Sequence, residues 1–267
     1  MGKIFKFLFS YFQRILRLTK RIILRLKQQI KKMMLFLPRT LNKGNYGRMA
    51  IRDRFEDIRQ LTAISNPIIV DAGCHTGSVT AKFLRIFDNP TIHAIEPNPD
   101  FASQLRERFG SYENVIVHEK ALGSQNRKGN INILNYPLAS SILTSTETSK
   151  KYHGEKMEIS DVLEIEIVRL ESIIDHEIDI LKMDLQGYEL EALKGSENVL
   201  HEIKLILLEV EFIPLYENQP LFGDLDVFLR GKGFNFHNFY DLWTHRDGQL
   251  TSGDAIYLNS KYYSDEV

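Results

Sequence analysis

The sequence predicts an α/β protein with a doubly wound, mostly parallel seven-stranded sheet, preceded by a long basic amphipathic helix. Two observations lead to this prediction. From residue 68 onward, short apolar runs alternate with segments of helical periodicity, as in parallel sheets covered by helices. Before residue 53 every charged residue is basic. With 267 residues, of which 43% are apolar, the chain has enough material for one large domain with an appendage.

The alternation predicts the order of the elements in the body. The predicted strands are residues 68–71, 91–96, 115–118, 178–184, 205–211, 234–237 and 255–259. Helices are expected between them near residues 77–87, 98–109, 188–200 and 222–231. Residues 130–168 interrupt the pattern with two short extended runs, 131–134 and 164–168, on either side of a polar loop at 144–161. An insertion of this size beside a sheet is typical of a lid or substrate loop.

The amino-terminal segment differs from the body in charge. Residues 1–52 hold 14 of the 34 Lys and Arg residues and no acid, so residues 53–267 carry 20 basic against 35 acidic residues. At 100° per residue, ten apolar positions fall on one side of a helix and the basic residues on the other. The apolar positions are Ile4, Leu8, Tyr11, Phe12, Ile15, Ile22, Leu26, Ile30, Met33 and Leu37. Residues 1–40 are therefore predicted to form a helix that lies on an anionic membrane surface, contacting it through residues 1–37.

The sequence also allows other binding partners for the amino-terminal helix. A coiled-coil arm would have a narrower apolar seam beside charges of both signs. A nucleic acid would leave the apolar face unexplained and would be repelled by the acidic body, so none is expected. No uncharged apolar stretch reaches the 18 or so residues that a membrane-spanning helix needs.

The domain boundaries follow from local breakers. Pro38 ends the basic helix, and residues 41–66 are predicted to be a linker followed by a lead-in helix over 48–64. The ligand-binding domain is predicted over residues 67–267. A single cysteine, Cys74, excludes an intramolecular disulfide and a multi-cysteine zinc site, and favours a reducing compartment.

Three motifs carry chemistry at predicted strand ends. The first, D-A-G-C-H-T-G at 71–77, follows a buried strand with a glycine turn that opens a helix. In the second, A-I-E-P-N at 94–98, Glu96 and Pro97 follow the next strand, where an acid accepts hydrogen bonds from ribose hydroxyls. Together they indicate an adenosine-type ligand. The third, at 178–189, brings Asp184 to the same edge of the sheet.

With these motifs and three further blocks, the sequence resembles the FkbM-type family of S-adenosylmethionine-dependent methyltransferases, which have a Rossmann-like sheet. The further blocks are A-L-G at 121–123, S-S at 140–141 and L-L-E-V at 207–210. The resemblance covers about residues 68–236. Two positions depart from the family pattern: His75 replaces the usual Asn, and Gln186 replaces the usual Glu.

The resemblance implies S-adenosylmethionine as the cofactor and assigns its contacts residue by residue. Asp71, Gly73 and Gly77 would form the loop under the methionine part, with His75 able to donate a hydrogen bond from the same loop. Glu96, followed by Pro97, would hold the ribose, and Ala121 would lie beside adenine. Asp184 would lie near the methyl group. No metal is expected, because Gln186 removes a carboxylate from that turn.

Transfer to a hydroxyl also needs a general base within hydrogen-bond reach. Asp184 is the first candidate and Glu209 the second; His153 and His245 are weaker ones. Tyr152, Tyr188 and Trp243 are candidates for an apolar wall beside a sugar ring.

The function predicted is O-methyl transfer to a hydroxyl of a glycan, glycolipid or related metabolite, by a cytoplasmic enzyme peripheral to the inner face of the membrane. Two alternatives stay open: a soluble small-molecule methyltransferase with a partner-binding helix, and a non-catalytic cofactor-binding scaffold. The acceptor and the oligomeric state do not follow from the sequence.

Overall fold

A computed structural model describes residues 52–263 of the chain. The predicted basic helix at 1–40, and residues 41–51 of the predicted linker and lead-in segment, lie outside the described residues. The helices are α1 (Arg54–Thr62), α2 (Ser78–Ile86), α3 (Pro99–Phe109), α4 (Glu147–His153), α5 (Glu189–Lys194) and α6 (Phe222–Gly231). The strands are β1 (Ile68–Ala72), β2 (Thr91–Ile95), β3 (Val115–His118), β4 (Ala121–Leu122), β5 (Arg127–Leu134), β6 (Ile159–Val168), β7 (Ile178–Met183), β8 (Ile203–Glu211), β9 (Phe234–Thr244) and β10 (Leu250–Asn259).

Seven strands form the central sheet in the order β3-β2-β1-β7-β8-β10-β9. The first five are parallel, and β10 pairs antiparallel with both β8 and β9. The predicted mainly parallel, seven-stranded α/β fold is therefore confirmed.

Helices cover both faces of this sheet because side chains alternate along each strand. Ile69 and Ile180 pack with α1 and α2 on one face. Their neighbours Val70 and Leu181 pack with α5 and α6 on the other face. The central strands are thus buried on both sides, which explains their continuous apolar runs in the sequence. Within residues 52–263, no helix is both long and apolar enough to cross a membrane.

The insertion forms a second sheet of three strands, in the order β4-β6-β5. The extended runs predicted at 131–134 and 164–168 are parts of the longer β5 and β6, and the loop predicted at 144–161 contains α4. Ile131 and Ile165 face a small core, while Lys128 and Glu164 form an ion pair across the exposed face at 2.7 Å. Both strands are longer than the apolar runs that predicted them, because cross-strand pairs of polar side chains stabilise the additional residues.

Three other predicted elements differ in length. The strands predicted at 234–237 and 255–259 are the ends of a long hairpin, β9 and β10, in which backbone pairing extends the ladder through mixed polar and aromatic residues. The helix predicted at 188–200 ends at Lys194 and is followed by a short 3-10 turn, Leu200–Glu202. Here Ser196 Oγ donates to Ala192 O at 2.7 Å, and Gly195 lies against the backbone of Gly123.

We expect Gly195→Ala to lower the free energy of unfolding by about 1 to 3 kcal/mol, because a Cβ there would overlap the Gly123 carbonyl group. The matched control is Gly231→Ala, where a Cβ meets no atom within 4 Å. Urea unfolding of both variants measures the difference. Equal stability of the two variants would contradict this packing.

Candidate active site

The carboxyl ends of β1, β2 and β7 meet where the strand order reverses. The chain runs outward from β1 through β2 to β3, then returns to β7 on the other side of β1. Ligands of open α/β sheets bind at such a point. Gly73, Glu96 and Asp184 directly follow these three strands and line one cleft.

The cleft is open to solvent at the carboxyl edge of the sheet. Its walls come from the three strand ends and from the insertion. The lining residues are Gly73, His75, Ile95, Glu96, Pro97, Asn98, Phe101, Lys120, Ala121, Leu122, Ile131, Pro137, Leu138, Ser140, Ser141, Ile142, Asp184, Leu185, Gln186 and Tyr188. The cleft is thus mainly apolar, with a few polar groups at defined positions.

The turn after β1 forms the floor of the cleft. Gly73 has a φ of +70°, and its amide donates to Ile95 O at 2.9 Å, which ties the turn to β2. A Cβ at this position would overlap the carbonyl oxygen of Asp184. Both the backbone conformation and the approach of the chain after β7 therefore require glycine.

His75 lies in the same turn, with a φ of +47°. Its ring packs on Phe101 with the centroids 3.8 Å apart, and both ring nitrogens are buried without a hydrogen-bond partner. Burial lowers the pKa of His75, against the opposing effect of the Asp184 carboxylate. The imidazole is therefore neutral at pH 7 and offers one donor and one acceptor to a polar ligand.

Glu96 lies at the end of β2 with its side chain facing the cleft. Its carboxylate accepts from the backbone amides of His75 at 2.8 Å and Asn98 at 3.0 Å, one on each oxygen. Burial raises the pKa of Glu96, while these two amides oppose the rise. Each oxygen keeps a free lone pair, so the carboxylate can still accept from hydroxyl donors.

Lys182 is a site residue that sequence reasoning missed. Its ammonium group is buried 3.3 Å from Asp71 and 3.9 Å from Asp184, and it donates to Ala72 O at 3.3 Å and Gly73 O at 3.0 Å. Burial lowers the pKa of Lys182, but the two carboxylates outweigh this effect and the net pKa is raised. The available signal was a lysine beside the apolar residues Ile180, Leu181 and Met183 of a predicted buried strand, because lysine is almost never buried unpaired.

Asp184 presents a carboxylate to the cleft, with 39% of its side chain exposed. The turn that follows is shaped by Glu189, whose carboxylate accepts from the Leu185 amide at 2.6 Å and the Gly187 amide at 3.3 Å. Gln186, in this turn, has a φ of +52°. The turn therefore holds the carboxylate of Asp184 at the mouth of the site.

Six of the nine predicted cofactor and catalytic residues line the cleft: Gly73, His75, Glu96, Pro97, Ala121 and Asp184. The other three do not. Asp71 is fully buried below the floor, where Thr80 Oγ1 donates to it at 2.6 Å. Gly77 begins α2 and packs against α3. Asp71 and Gly77 thus support the turn from behind, and Glu209 lies behind Gln186, which donates to it at 2.8 Å.

Of the remaining candidates from the sequence, one lines the cleft and the others do not. Tyr188 lines the cleft, and its hydroxyl accepts from Arg127 Nη2 at 3.2 Å. Tyr152 and His245 instead contact each other, with ring centroids 4.4 Å apart, and Trp243 is exposed on β9. These three and His153 do not line the cleft. Among the described residues, no group of three or more His, Cys, Asp or Glu side chains is arranged to hold a metal ion.

Comparison with known families decides the class of this site. The model of the methyltransferase FkbM domain matches residues 71–236, which is more than half of the chain. The chain belongs to the FkbM-domain methyltransferases. This confirms the resemblance drawn from the motifs, and members of this family use S-adenosylmethionine.

Individual named proteins share about a quarter of their aligned residues with this chain. The chain is 26% identical over 174 residues to the 2-O-methyltransferase NoeI of Sinorhizobium fredii (strain NBRC 101917 / NGR234), covering 61% of this chain and 71% of that protein. It is 26% identical over 119 residues to the hexuronic acid methyltransferase AglP of Haloferax volcanii, covering 45% of this chain and 46% of that protein. The crystal structure of methyltransferase FkbM from Methylobacillus flagellatus KT aligns with a TM-score of 0.48 and 16% identity, covering 73% of this chain and 44% of that chain. The chain therefore spans less than half the length of the last two proteins.

The cleft of this FkbM-domain methyltransferase fits S-adenosylmethionine. The Glu96 carboxylate has acceptor capacity for the two ribose hydroxyls, and the unpartnered nitrogens of His75 can bind polar groups of the ligand. The Gly73 turn brings its backbone to the lining of the cleft.

We expect Lys182→Met to lower the free energy of unfolding by about 3 to 5 kcal/mol, because it leaves the Asp71 carboxylate buried without its cation. The control, Lys128→Met, breaks an exposed ion pair with Glu164 and should cost no more than about 1 kcal/mol. Adding Asp71→Asn to Lys182→Met should restore part of the loss. Urea denaturation of the variants would contradict this account if Lys182→Met were as stable as Lys128→Met.

Proposed function

We propose that this protein methylates a hydroxyl oxygen of a sugar, or of a sugar-bearing lipid or metabolite. The observation that carries the proposal is the Asp184 carboxylate, which lies at the mouth of the cleft at the end of β7. A hydroxyl that accepts a methyl group loses its proton, and a carboxylate in this position can receive it. The name of NoeI, a 2-O-methyltransferase, supports methyl transfer to oxygen, and that of AglP, a hexuronic acid methyltransferase, supports a sugar as the acceptor.

The protein residues have distinct tasks in this mechanism. When bound, S-adenosylmethionine would supply an electrophilic methyl group from its sulfonium. Glu96 and the Gly73 turn would hold the adenosine and methionine parts, with His75 beside them. Asp184 orients the acceptor hydroxyl and takes its proton. Positioning of this kind is the main requirement of a displacement reaction.

Ionisation of Asp184 favours this role. Burial opposes the charged form, but the Lys182 ammonium and hydrogen bonds to Glu209 and Gln186 lower the pKa of Asp184 below its usual value. The carboxylate is therefore ready to accept a proton at neutral pH. Apolar residues from α3 and the insertion, among them Phe101 and Leu138, line the cleft nearby and limit the access of water.

The test is methyl transfer to a panel of free and lipid-linked sugars, with the product linkage read by mass spectrometry. We expect an O-methyl sugar, and we expect Asp184→Asn to reduce kcat by about 100- to 10,000-fold while leaving cofactor affinity within a few-fold. Asp88→Asn, an exposed change remote from the cleft, is the matched control. Methylation at nitrogen or carbon only, or full activity of Asp184→Asn, would overturn the proposal.

We also propose that residues 1–37 bind the anionic inner face of the cytoplasmic membrane, which would bring the domain to lipid-linked acceptors. The support is the separation of apolar and basic residues in the sequence. A protein lacking residues 1–37 should not bind to lipid vesicles and should remain in the supernatant when they are sedimented. The full chain should bind only to vesicles that contain anionic lipid, and this binding should weaken as the salt concentration rises.

Replacing Phe12, Ile15, Ile22 and Leu26 by Ser should abolish vesicle binding even at low salt, because the basic face alone does not replace the apolar one. Vesicle sedimentation measures both effects. Equal binding to neutral and anionic vesicles, or to neither, would favour a partner-binding helix instead.

A further inference from the structure

The side chain of Gln186 bridges two carboxyl groups. Its Nε2 donates to Asp184 Oδ1 at 2.8 Å and to Glu209 Oε2 at 2.8 Å. Its Oε1 lies 2.9 Å from the Tyr216 hydroxyl, whose single proton also faces Ala139 O at 2.7 Å. Both ends of the amide therefore have polar partners, and the two carboxyl groups orient its nitrogen toward them.

The backbone of Gln186 is fixed as well. Its carbonyl oxygen accepts from Ser141 Oγ at 2.7 Å, and its φ is +52°. Ser141 and Ala139 belong to the segment that forms the outer wall of the cleft. The bridge thus has a defined position between the strand ends and this wall.

Because one amide nitrogen contacts both carboxyl groups, Asp184 Oδ1 and Glu209 Oε2 lie close together. Two carboxylates this close repel each other, and one shared proton removes the repulsion. Burial and the Asp184 charge raise the pKa of Glu209 well above its usual value, whereas the pKa of Asp184 is lowered. The protonated member is therefore Glu209, and the ionised member is Asp184, which faces the cleft.

The surrounding charges favour the same assignment. Lys182 on β7 and Arg54 on α1 favour an ionised Asp184. Glu211 on β8 and Glu189 on α5 disfavour a charge on Glu209. The other titratable groups near the pair are His75, Tyr216 and Asp254, the last of which pairs in register with Glu209 and binds Arg54.

We propose that Asp184 and Glu209 act as one carboxyl pair that holds a single proton, and that Gln186 is the positioning residue that fixes this state by donating to both. The inference rests on the proposed methyl transfer, because it names the group that receives the acceptor's proton. The acceptor oxygen would gain a bond to the methyl carbon as the carbon–sulfur bond of the cofactor breaks and its electron pair stays on sulfur. The O–H bond of the acceptor would break in the same reaction, and its proton would go to Asp184. The pair then carries two protons and no charge, and one proton must return to solvent before the next turnover.

A neutral amide suits this position for a physical reason. A glutamate at residue 186 would place a third carboxyl group against the pair and would remove the two N–H donors. The added negative charge would raise the pKa of both partners.

The test is ¹³C NMR of the full chain with carboxyl-labelled Glu, in which Glu209→Gln assigns the Glu209 signal. In the unmodified protein we expect Glu209 to remain protonated well above the pH at which the exposed glutamates titrate. Asp184→Asn should lower the titration midpoint of Glu209 by about one pH unit or more, because a like charge is removed. Gln186→Glu should raise it by a similar amount.

Gln104→Glu, which adds the same charge on the exposed face of α3, should leave the midpoint unchanged. A Glu209 signal that titrates with the exposed glutamates, or that does not respond to Asp184→Asn, would overturn the proposal. If Asp184→Asn or Gln186→Glu does not fold, the unmodified protein and Glu209→Gln together still supply the first of these outcomes. The measurement uses no acceptor, so failure of methyl transfer to sugars is a separate result.

Discussion

The buried ion pair between Lys182 and Asp71 joins the parts of this site. Its ammonium group lies 3.3 Å from the Asp71 carboxylate and donates to the carbonyls of Ala72 and Gly73, so one cation ties β7 to the turn after β1. Removing either partner would leave an uncompensated charge inside the sheet. The same ammonium lies 3.9 Å from Asp184 and favours its ionised form. The fold and the charge state of the site therefore depend on the same interaction.

Around this pair, the functional groups are arranged by topology. The strand order reverses between β1 and β7, which opens a cleft at the carboxyl edge that the insertion then covers on one side. Glu96 comes from β2 and Asp184 from β7, on opposite sides of β1. In the proposed mechanism, this arrangement separates the carboxylate that would hold the cofactor from the one that would accept the proton. A neutral glutamine behind the second carboxylate completes the network.

The sequence predicted the parts of this arrangement that depend on local patterns. Apolar runs identified the buried strands, and Gly73, Glu96 and Asp184 were found because chemistry in parallel sheets lies at strand ends. The positions of Asp71 and Gly77 behind the turn could not be predicted from the sequence. A motif does not show whether a residue faces the ligand or supports the turn from behind. Nothing in the sequence indicated the role of Tyr216. Its two partners, Gln186 and Ala139, lie 30 and 77 residues away from it along the chain. The length of β9 and β10 was missed because backbone pairing, rather than apolar content, extends the hairpin.

In the proposed site, the three strand ends joined by Lys182 would hold S-adenosylmethionine, with Asp184 beside the reacting methyl group. A crystal structure with S-adenosylhomocysteine bound would locate the ribose, the methionine part and the sulfur. We expect the ribose hydroxyls to donate to Glu96, the methionine part to lie over the Gly73 turn, and the sulfur to face the Asp184 side of the cleft. Adenosine bound away from Glu96, or a sulfur turned away from Asp184, would rule out this assignment.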